Sequence, residues 1–526
     1  MFIIVLSVAA AISALSFIVG FTMERFKYFP YSLIRNFAVH LANTISTPNE
    51  RLSSQYSHDE EKAAIGKDID TTLLPLKLKG WRISDYIQIP KVGGGITTIG
   101  STIIVLDRIG NIYAASPDGI VSKLPIPALP NNITEYVSEG LVVSEIRFRA
   151  YSIKYLESVK KLVSSHEYYD PQIRATRLAV SVIDFDPETM RSTGSWNTIF
   201  YGEPALVGPN VGGGGGLTVG GPDKVYLTIG DYGMENVAQD PTSTLGKIIE
   251  ISIDTRAHKI MTIGHRNPQG LTATKDGALW STEHGPRGGD ELNLIVEGAN
   301  YGWPNVTLGS EYETYGWRND ERVGCHDGYQ APIFAWLPGI GVSNLIQIER
   351  FHPRWDGDLL VGSLKALSLF RLRTDQTRVV YSEAIWIGQR IRDVAQLKDG
   401  TIVLWTDDTE LLFLSPNEDK LSGKERFPDL PATVVGDCMY CHSFEPTQAG
   451  DFAPSLGNLF GRRIASENFR YSIGLRSKKG TWNEKLLSDF LGNPDKFASG
   501  TSMPWPNLSR ADIENIIATL KRVSKP

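Results

Sequence analysis

This chain of 526 residues has few cysteines and no excess of positive charge. Its three cysteines stand at positions 325, 438 and 441, too few for the network of disulfide bonds that stabilises small secreted proteins. We therefore expect hydrophobic burial to hold the fold. The formal net charge is −6 and the isoelectric point is near 5.9. Because nucleic acids bind basic surfaces, this balance argues against a nucleic-acid partner.

Charge is absent altogether from residues 2–23, FIIVLSVAAAISALSFIVGFTM. An apolar stretch of about 20 residues suits a helix that spans a bilayer. The stretch has no basic region before it and no A-x-A-like cleavage site after it, which favours a retained anchor at residues 1–23 over a cleaved signal peptide. The basic residues Arg25, Lys27 and Arg35 follow it, and by the positive-inside tendency they would leave the rest of the chain in the cytoplasm.

The middle of the chain is rich in turns and short alternating segments. Residues 24–80 are predicted as a stalk or linker, whereas residues 81–416 repeat a turn followed by alternating apolar and polar residues, as in KDGTIVLWTDDTELLFLS. The turns WDG and KDG lie roughly 43 residues apart. A unit of that size fits one four-stranded blade, so about 335 residues predict a mainly β domain, a six-bladed β-propeller. A large β-sandwich or barrel is the alternative. Residues 139–163 favour a partly helical insertion.

The most specific motif is CMYCH, at residues 438–442. Two thiols separated by two residues can add to the vinyl groups of a haem, and the next histidine then reaches the iron. A redox CxxC or a zinc site is the alternative interpretation. Zinc would require two further ligands, and the chain has no second cysteine pair.

Residues 428–526 resemble a class I cytochrome c, which implies an all-α C-terminal domain. APSLGNLFGRR matches the loop beside the proximal histidine, and GTSMPWP carries a methionine at the position of the distal ligand. The resemblance implies covalent attachment of haem c at two cysteines and ligation of its iron by a histidine and a methionine, namely Cys438, Cys441, His442 and Met503. It also implies that the Pro454 carbonyl accepts the His442 ring N–H. The closing segment SRADIENIIATLKRV is predicted as an amphipathic helix.

The haem motif decides the expected location. In bacteria, haem c is attached outside the cytoplasmic membrane, and long domains cross that membrane largely regardless of flanking charge. We therefore expect an inner-membrane anchor with the body of the chain on the periplasmic face.

Two stretches carry the second resemblance: GHRNPQGL at residues 264–271 and STEHGPRGGDELNLIVEGANYGWPN at residues 281–305. Arg266 and Asn267 place a cation and an amide at a strand end, where they can grip a ligand rich in oxygen; a structural turn is the alternative. Together, at this spacing, the stretches resemble the PQQ-dependent glucose/sorbosone dehydrogenase family, whose fold is a six-bladed propeller. GDLLVGSLKALSLFRL and GQRIRDVAQLKDGTIVLWTD continue the match in the same order, so that it spans most of residues 96–414.

The resemblance implies a quinone site and a calcium ion. Five polar residues match positions that bind the carboxylates and quinone oxygens of PQQ: Arg266, Asn267, Lys365, Arg390 and Arg392. Gly285 and Pro286 match positions whose backbone carbonyls bind calcium, a hard cation that prefers oxygen ligands. Solvated surface charge is the alternative for the last three cations.

One expected residue is missing. The family takes the hydroxyl proton with a histidine in a stretch of form H-x-G-[GS]-R-[LI], which falls at or near Gly212 here, within VGGGGGL. No histidine lies between His166 and His258, and Asn210, the nearest polar residue, cannot act as a base. The catalytic residue is therefore unknown from sequence, with four candidates: Asp107, Asp231, Glu235 and His284. The glycines predict an open floor without side chains over the quinone.

These features predict a membrane-anchored periplasmic quinohaemoprotein. It would oxidise CH–OH groups of a sugar or alcohol at PQQ and pass electrons to its own haem c, then to an external redox protein or quinone. The alternative is a propeller without catalysis that serves as a binding module on an electron-transfer cytochrome.

Overall fold

The computed structural model describes 65–72, 74–139, 148–205, 212–312, 315–316, 324–375, 378–421, 438, 442, 453–467, 469, 471–501, 503 and 508–523. The predicted anchor at residues 1–23 and the first part of the predicted stalk lie outside these residues. Among the helices of the described ranges, none combines the length and the apolarity that crossing a bilayer requires.

Six antiparallel sheets make up most of the described chain, as the repeat length predicts. Blade 1 is β3 (Gly95–Ile99), β4 (Thr102–Leu106), β5 (Ile112–Ala115) and β6 (Val121–Lys123). Blade 2 is β7 (Ala150–Leu156), β8 (Lys161–Asp170) and β9 (Ala175–Asp186), with β10 (Arg191–Ser192) and β11 (Asn197–Tyr201) on β9. Blade 3 is β12 (Gly214–Gly221), β13 (Lys224–Ile229), β14 (Lys247–Ser252) and β15 (His258–Ile263).

The remaining blades follow the same plan. Blade 4 is β16 (Pro268–Ala273), β17 (Leu279–Glu283), β18 (Asp290–Ile295) and β19 (Phe334–Trp336). Blade 5 is β20 (Val342–Gln347), β21 (Leu359–Ser363), β22 (Ser368–Thr374) and β23 (Val379–Trp386). Blade 6 combines β24 (Ile391–Gln396), β25 (Ile402–Thr406) and β26 (Glu410–Pro416) with β2 (Leu76–Arg82) and β1 (Ile65–Ile69).

Blade 6 closes the ring with strands from both ends of the propeller. β2 pairs with β26 from Leu76 opposite Pro416 to Arg82 opposite Glu410. The inner strands β3, β7, β12, β16, β20 and β24 each pack on the next, and β24 packs on β3. The propeller thus begins at Ile65, ahead of the predicted boundary at residue 81, because the two strands placed in the stalk complete a sheet whose other members lie more than 300 residues away.

The alternation of each strand buries one face against the neighbouring blade. Alternate residues of β9 and β13 pack in one cluster: Leu178, Val180, Val182, Val225, Leu227 and Ile229. Residues 148–163 also belong to this β-structure. They form β7 and the start of β8 rather than the predicted helical insertion, since burial in a blade overrides local helix propensity.

In each blade the first strand begins where the second strand ends, because the two are antiparallel. Pro268 lies opposite Glu283, Val342 opposite Ser363, and Ile391 opposite Thr406. We call the end of the propeller formed by these positions the front face. Residues just before a first strand or just after a second strand therefore meet there, however far apart they are in sequence.

The described C-terminal residues form helices. These are α3 (Ile473–Arg476), α4 (Glu484–Gly492), α5 (Pro494–Phe497) and α6 (Arg510–Val523); α1 (Ile133–Ser138) and α2 (Glu418–Leu421) precede them in the chain. The side chains of Asn483 and Asn493 cap α4 and α5 by accepting backbone N–H groups. The predicted apolar face of α6 is confirmed, since Ile513, Ile516, Ile517 and Leu520 are buried in one cluster with Trp482 and Phe490.

Candidate active site and haem-binding site

The five residues predicted to hold PQQ all lie on the front face. Arg266 and Asn267 directly precede β16, Lys365 follows β21, and Arg390 and Arg392 stand at the start of β24. Blades 4, 5 and 6 supply them, so ring formation brings together positions up to 126 residues apart (392 − 266 = 126).

Arg390 and Arg392 share one buried carboxylate. Asp407, at the end of β25, accepts Arg390 Nε at 2.8 Å, Arg392 Nε at 2.8 Å and Arg392 Nη2 at 3.0 Å. The Arg392 side chain is 9% exposed, and burial lowers its pKa, whereas the Arg390 side chain is 49% exposed. Burial by itself would raise the pKa of Asp407, but the two arginines outweigh it and hold that pKa below its usual value. Surface charge, the alternative interpretation, is thus excluded for Arg392.

Arg266 and Asn267 are held through their backbone. The Glu283 carboxylate accepts the Arg266 N–H and, at 3.3 Å, the Asn267 N–H. The Arg266 guanidinium lies 5.4 Å from the centre of the Trp303 ring. The Asn267 side-chain oxygen accepts the Gly214 N–H at 3.2 Å, which links blade 4 to the glycine run of blade 3.

Lys365 has an exposed side chain, like Arg390 and unlike Arg392. Its backbone N–H donates to the Ile340 carbonyl at 3.0 Å, which fixes the turn after β21. The charge therefore stands at the rim of the front face, where it can meet a ligand that enters from solvent.

One of the two predicted calcium carbonyls, that of Gly285, already accepts a hydrogen bond from a cation. Arg266 Nη1 donates to the His284 carbonyl at 3.2 Å and to the Gly285 carbonyl at 3.0 Å. Among the described residues, no group of three or more histidine, cysteine or carboxylate side chains is arranged to hold a metal ion. Carbonyl oxygens are ligands that suit a hard cation, and calcium at Gly285 and Pro286 stays a prediction.

A cavity on the propeller axis contains residues that sequence patterns did not single out. The starts of all six inner strands line it, and four of its polar residues are Arg149, Gln269, Asn344 and Arg392. Arg149 is buried, and its guanidinium lies 4.8 Å from the centre of the Tyr151 ring. Sequence analysis did not identify Arg149, because residues 139–163 were predicted to be partly helical and no motif surrounds this residue.

The glycine run is not an open floor. A Cβ atom on Gly213 would lie 2.4 Å from the Tyr151 hydroxyl oxygen, and one on Gly215 would lie 2.4 Å from Tyr151 Cγ. The Tyr151 ring therefore fills the space above the run. Its hydroxyl donates to Glu167 Oε1 at 2.5 Å, and Tyr232 donates to the same oxygen at 2.9 Å. Burial raises the pKa of Glu167.

We expect Gly215→Ala to lower the free energy of unfolding by about 2–4 kcal/mol, because the new Cβ meets the Tyr151 ring and Gly215 has a φ of +96°. The midpoint of urea unfolding measures this change. Gly66→Ala is the matched control, since a Cβ there has nothing within 4 Å. Equal midpoints for the two variants would show that Tyr151 does not occupy the glycine run.

The four candidate bases have different surroundings in the structure. The Asp107 carboxylate stabilises a turn, in which it accepts the backbone N–H groups of Ile109 and Asn111. Glu235 begins a short 3₁₀ helix at residues 235–239. His284 is half-buried, and burial lowers its pKa.

Asp231 is the candidate nearest to the expected histidine. A Cβ atom on Gly212 would lie 3.2 Å from Asp231 Oδ1, 3.3 Å from the Arg266 carbonyl oxygen and 3.4 Å from Asn267 Cβ. Position 212 therefore adjoins two of the predicted quinone-binding residues. Asn210 lies outside the described residues.

The described part of the haem motif agrees with its predicted chemistry. His442 Nδ1 lies 2.6 Å from the Pro454 carbonyl oxygen, as the resemblance implied, and this contact leaves Nε2 for the iron. Burial lowers the pKa of His442, which favours the neutral ring that a metal ligand needs. Met503 packs against the helical core, and Cys441 lies outside the described residues.

Comparison with known proteins agrees with both parts of the chain. Residues 95–413 match the glucose / sorbosone dehydrogenase family, and residues 423–524 match cytochrome c. Quinoprotein glucose dehydrogenase B of Acinetobacter calcoaceticus is 36% identical over 279 residues, which cover 37% of this chain and 58% of that protein. Cytochrome c of Tetrahymena pyriformis is 37% identical over 109 residues, 20% of this chain and 92% of that protein. The chain spans between 58% and 64% of the curated propeller relatives it matches.

The fold has solved counterparts. The soluble aldose sugar dehydrogenase of Escherichia coli in its apo form aligns with a TM-score of 0.55 at 22% identity, over 68% of this chain and all of that one. The C-terminal match implies haem c at the CMYCH motif. The propeller, its front-face cations and the family match over more than half of the sequence together assign the protein: the chain belongs to the glucose / sorbosone dehydrogenase family and carries a cytochrome c domain at its C-terminal end.

Proposed function

We propose that the protein oxidises a CH–OH group of a sugar or another alcohol with PQQ bound at the front face, and that its own haem c carries the electrons away. The convergence of Arg266, Arg390 and Arg392 on one face, beside a cavity on the propeller axis, is the observation that carries this proposal. The name of the Acinetobacter relative, a quinoprotein, supports the choice of cofactor.

The residues present fit such a cofactor. PQQ carries three carboxylates, and the single carboxylate of Asp407 is shared by Arg390 and Arg392, so this pair keeps a net positive charge that can bind a carboxylate of the cofactor. Arg392 is anchored at two nitrogens and is already desolvated, so it loses little further freedom when it binds a carboxylate. When bound, PQQ supplies a two-electron acceptor for the hydride of the substrate carbon.

Calcium at the Gly285 and Pro286 carbonyls belongs to the same proposal. A hard cation there would take over the Gly285 oxygen that Arg266 Nη1 contacts and leave the arginine to face the cofactor. Such a cation would supply Lewis-acid polarisation of the quinone.

Electron removal is assigned to the C-terminal domain. Cys438 and Cys441 would hold the haem, with His442 and Met503 as axial ligands, a pair that gives a relatively high potential. A haem takes electrons one at a time, and its attachment to the same chain raises its effective concentration near the propeller. An external redox protein or quinone would then receive them.

We also propose that residues 1–23 anchor the protein in the inner membrane and that its domains lie on the periplasmic face. The uncharged N-terminal stretch and the site of haem c attachment in bacteria support this location. No nucleic-acid partner is proposed.

Reconstitution tests the proposal directly. We expect the purified holocytochrome to bind PQQ in the presence of calcium and to reduce its haem when aldoses or simple alcohols are added. Arg392→Ala should weaken PQQ binding by roughly 10- to 150-fold, the loss of one charged hydrogen-bond set of about 1.5–3 kcal/mol. Lys275→Ala, an exposed cation in the turn at the opposite face, is the control and should bind PQQ like the unmodified protein.

Two outcomes would contradict this function. Failure to bind PQQ would remove the quinone from the site altogether. Binding without haem reduction by any substrate would favour the second candidate function, a binding module on a cytochrome. The glycine at position 212 supports this second candidate, because the family keeps its catalytic base at that position.

A further inference from the structure

Gly212, the first residue of the glycine run, lies beside the segment after β13 that contains Asp231. The Gly212 carbonyl accepts the Tyr232 N–H at 3.3 Å, and a Cβ on Gly212 would sit 3.2 Å from Asp231 Oδ1. A side chain at this position would therefore stand between the Asp231 carboxylate and Asn267. With glycine there, the carboxylate is the acidic group nearest to the place where the expected base would begin.

Asp231 is tied to the residues that form the proposed quinone site. Its backbone N–H donates to the Arg266 carbonyl at 2.9 Å, and its Oδ2 accepts the Trp303 indole N–H at 2.7 Å. Arg266 and Trp303 line a small pocket together with His284 and Gly285. Asp231 is 3% exposed, so its carboxylate is shielded from bulk water, and only the Gly212 backbone stands on the side of its Oδ1 atom where the expected base would begin.

We propose that Asp231 accepts the substrate hydroxyl proton in this protein, in place of the missing histidine. The inference rests on the proposed function. The O–H bond of the substrate breaks and its proton passes to the Asp231 carboxylate, while the hydride of the same carbon goes to a quinone and leaves a carbonyl product. Each Asp231 oxygen already accepts one hydrogen bond, from Gly233 N–H at 2.8 Å and from Trp303, which orients the carboxylate and leaves lone pairs for the proton.

The surroundings of Asp231 suit this role at neutral pH. Burial raises its pKa to about 6, against the lowering effect of the Gly233 and Trp303 hydrogen bonds and of the Arg266 charge. Glu235 raises the pKa slightly, and the neighbouring Tyr232 hydroxyl is bound to the buried Glu167. The carboxylate is thus ionised at pH 7 and is a stronger base than an ordinary aspartate.

The pH dependence of haem reduction tests the proton transfer. In the PQQ-loaded protein at low substrate concentration, the rate should rise about tenfold from pH 5 to pH 7 with a midpoint near 6, because only the ionised carboxylate can accept a proton. Asp231→Asn keeps one acceptor oxygen, for either the Gly233 or the Trp303 N–H, and it should lower kcat by about 10²- to 10⁴-fold and abolish this pH dependence. PQQ affinity should change by less than about threefold, because Asp231 offers no positive charge to the cofactor.

Two further variants and one independent readout complete the test. Asp231→Glu keeps a carboxylate and should restore part of kcat together with a rise towards neutral pH, whereas Asp254→Asn, which removes an exposed carboxylate of the same blade, should match the unmodified protein. Infrared titration of the protein without PQQ should show a carboxyl group with a midpoint near pH 6 that Asp231→Asn lacks.

A normal rate and pH profile in Asp231→Asn would overturn the assignment of Asp231 and leave the dehydrogenase function intact. Absence of PQQ binding by the unmodified protein would overturn both.

Discussion

Replacing Asp407 by alanine is expected to lower the free energy of unfolding by about 3–5 kcal/mol and to abolish tight PQQ binding together. Asp407 is 3% exposed and pairs with two arginines, one of which, Arg392, is 9% exposed. Removal of the carboxylate leaves the Arg392 charge buried without its partner, which costs far more than the loss of a surface ion pair. The same change releases two cations that the proposed cofactor needs at fixed positions.

The neighbouring residue supplies the control. Asp408 forms an ion pair with Lys91 at 2.8 Å, but both side chains are about half exposed. Asp408→Asn should therefore shift the midpoint of urea unfolding little and leave the Kd for PQQ unchanged. Similar effects of the two substitutions on both measurements would show that Asp407 does not organise the arginines.

The pH dependence of stability has a definite sign at this site. Because the pKa of Asp407 is lower in the folded protein than in the unfolded chain, its contribution is fully present at neutral pH and is lost as the pH falls below about 4. The difference in unfolding free energy between Asp407→Ala and the unmodified protein should therefore shrink in acid.

Replacing His442 by alanine is expected to eliminate haem reduction by substrate, whereas substrate oxidation coupled to an added electron acceptor should continue. The ring is held by the Pro454 carbonyl at 2.6 Å and is predicted to supply the proximal ligand, so its removal takes away one axial bond of the iron. The quinone site is built from propeller residues and does not include this histidine. A small artificial electron acceptor added to the solution should consequently restore turnover of the PQQ-loaded variant.

Haem reduction, followed by absorbance, and reduction of the artificial acceptor separate the two domains. His258→Ala, which removes an exposed histidine of blade 3, should leave both rates unchanged. Loss of dye-coupled turnover in His442→Ala would mean that the propeller depends on an intact haem site, contrary to the division of labour proposed here.

Short contiguous patterns determined several features of this protein from sequence alone. The CMYCH motif and the loop around Pro454 identified a haem site, and the structure confirms the predicted contact of His442 with that carbonyl. The spacing of Ile513, Ile516 and Leu520 identified the buried face of α6, because helical periodicity is a local property. The length of the alternating region likewise predicted a six-bladed propeller.

Other features depend on contacts between distant parts of the chain. β2 completes blade 6 by pairing with β26. No sequence pattern near residue 76 predicts that it pairs with residue 416. Tyr151 fills the glycine run some 60 residues later in the chain, so the open floor expected from VGGGGGL does not exist.

What the sequence determined by itself is the kind of chemistry: a haem motif, a set of cations matched to a quinone, and the absence of a histidine at position 212. Only the tertiary structure decided how those residues are supported, since it placed Asp407 between Arg390 and Arg392 and Asp231 beside Gly212. The physical reason is the antiparallel blade. In every blade the chain returns to the front face, so residues that are distant in sequence share one electrostatic environment there. A local sequence pattern cannot predict that environment.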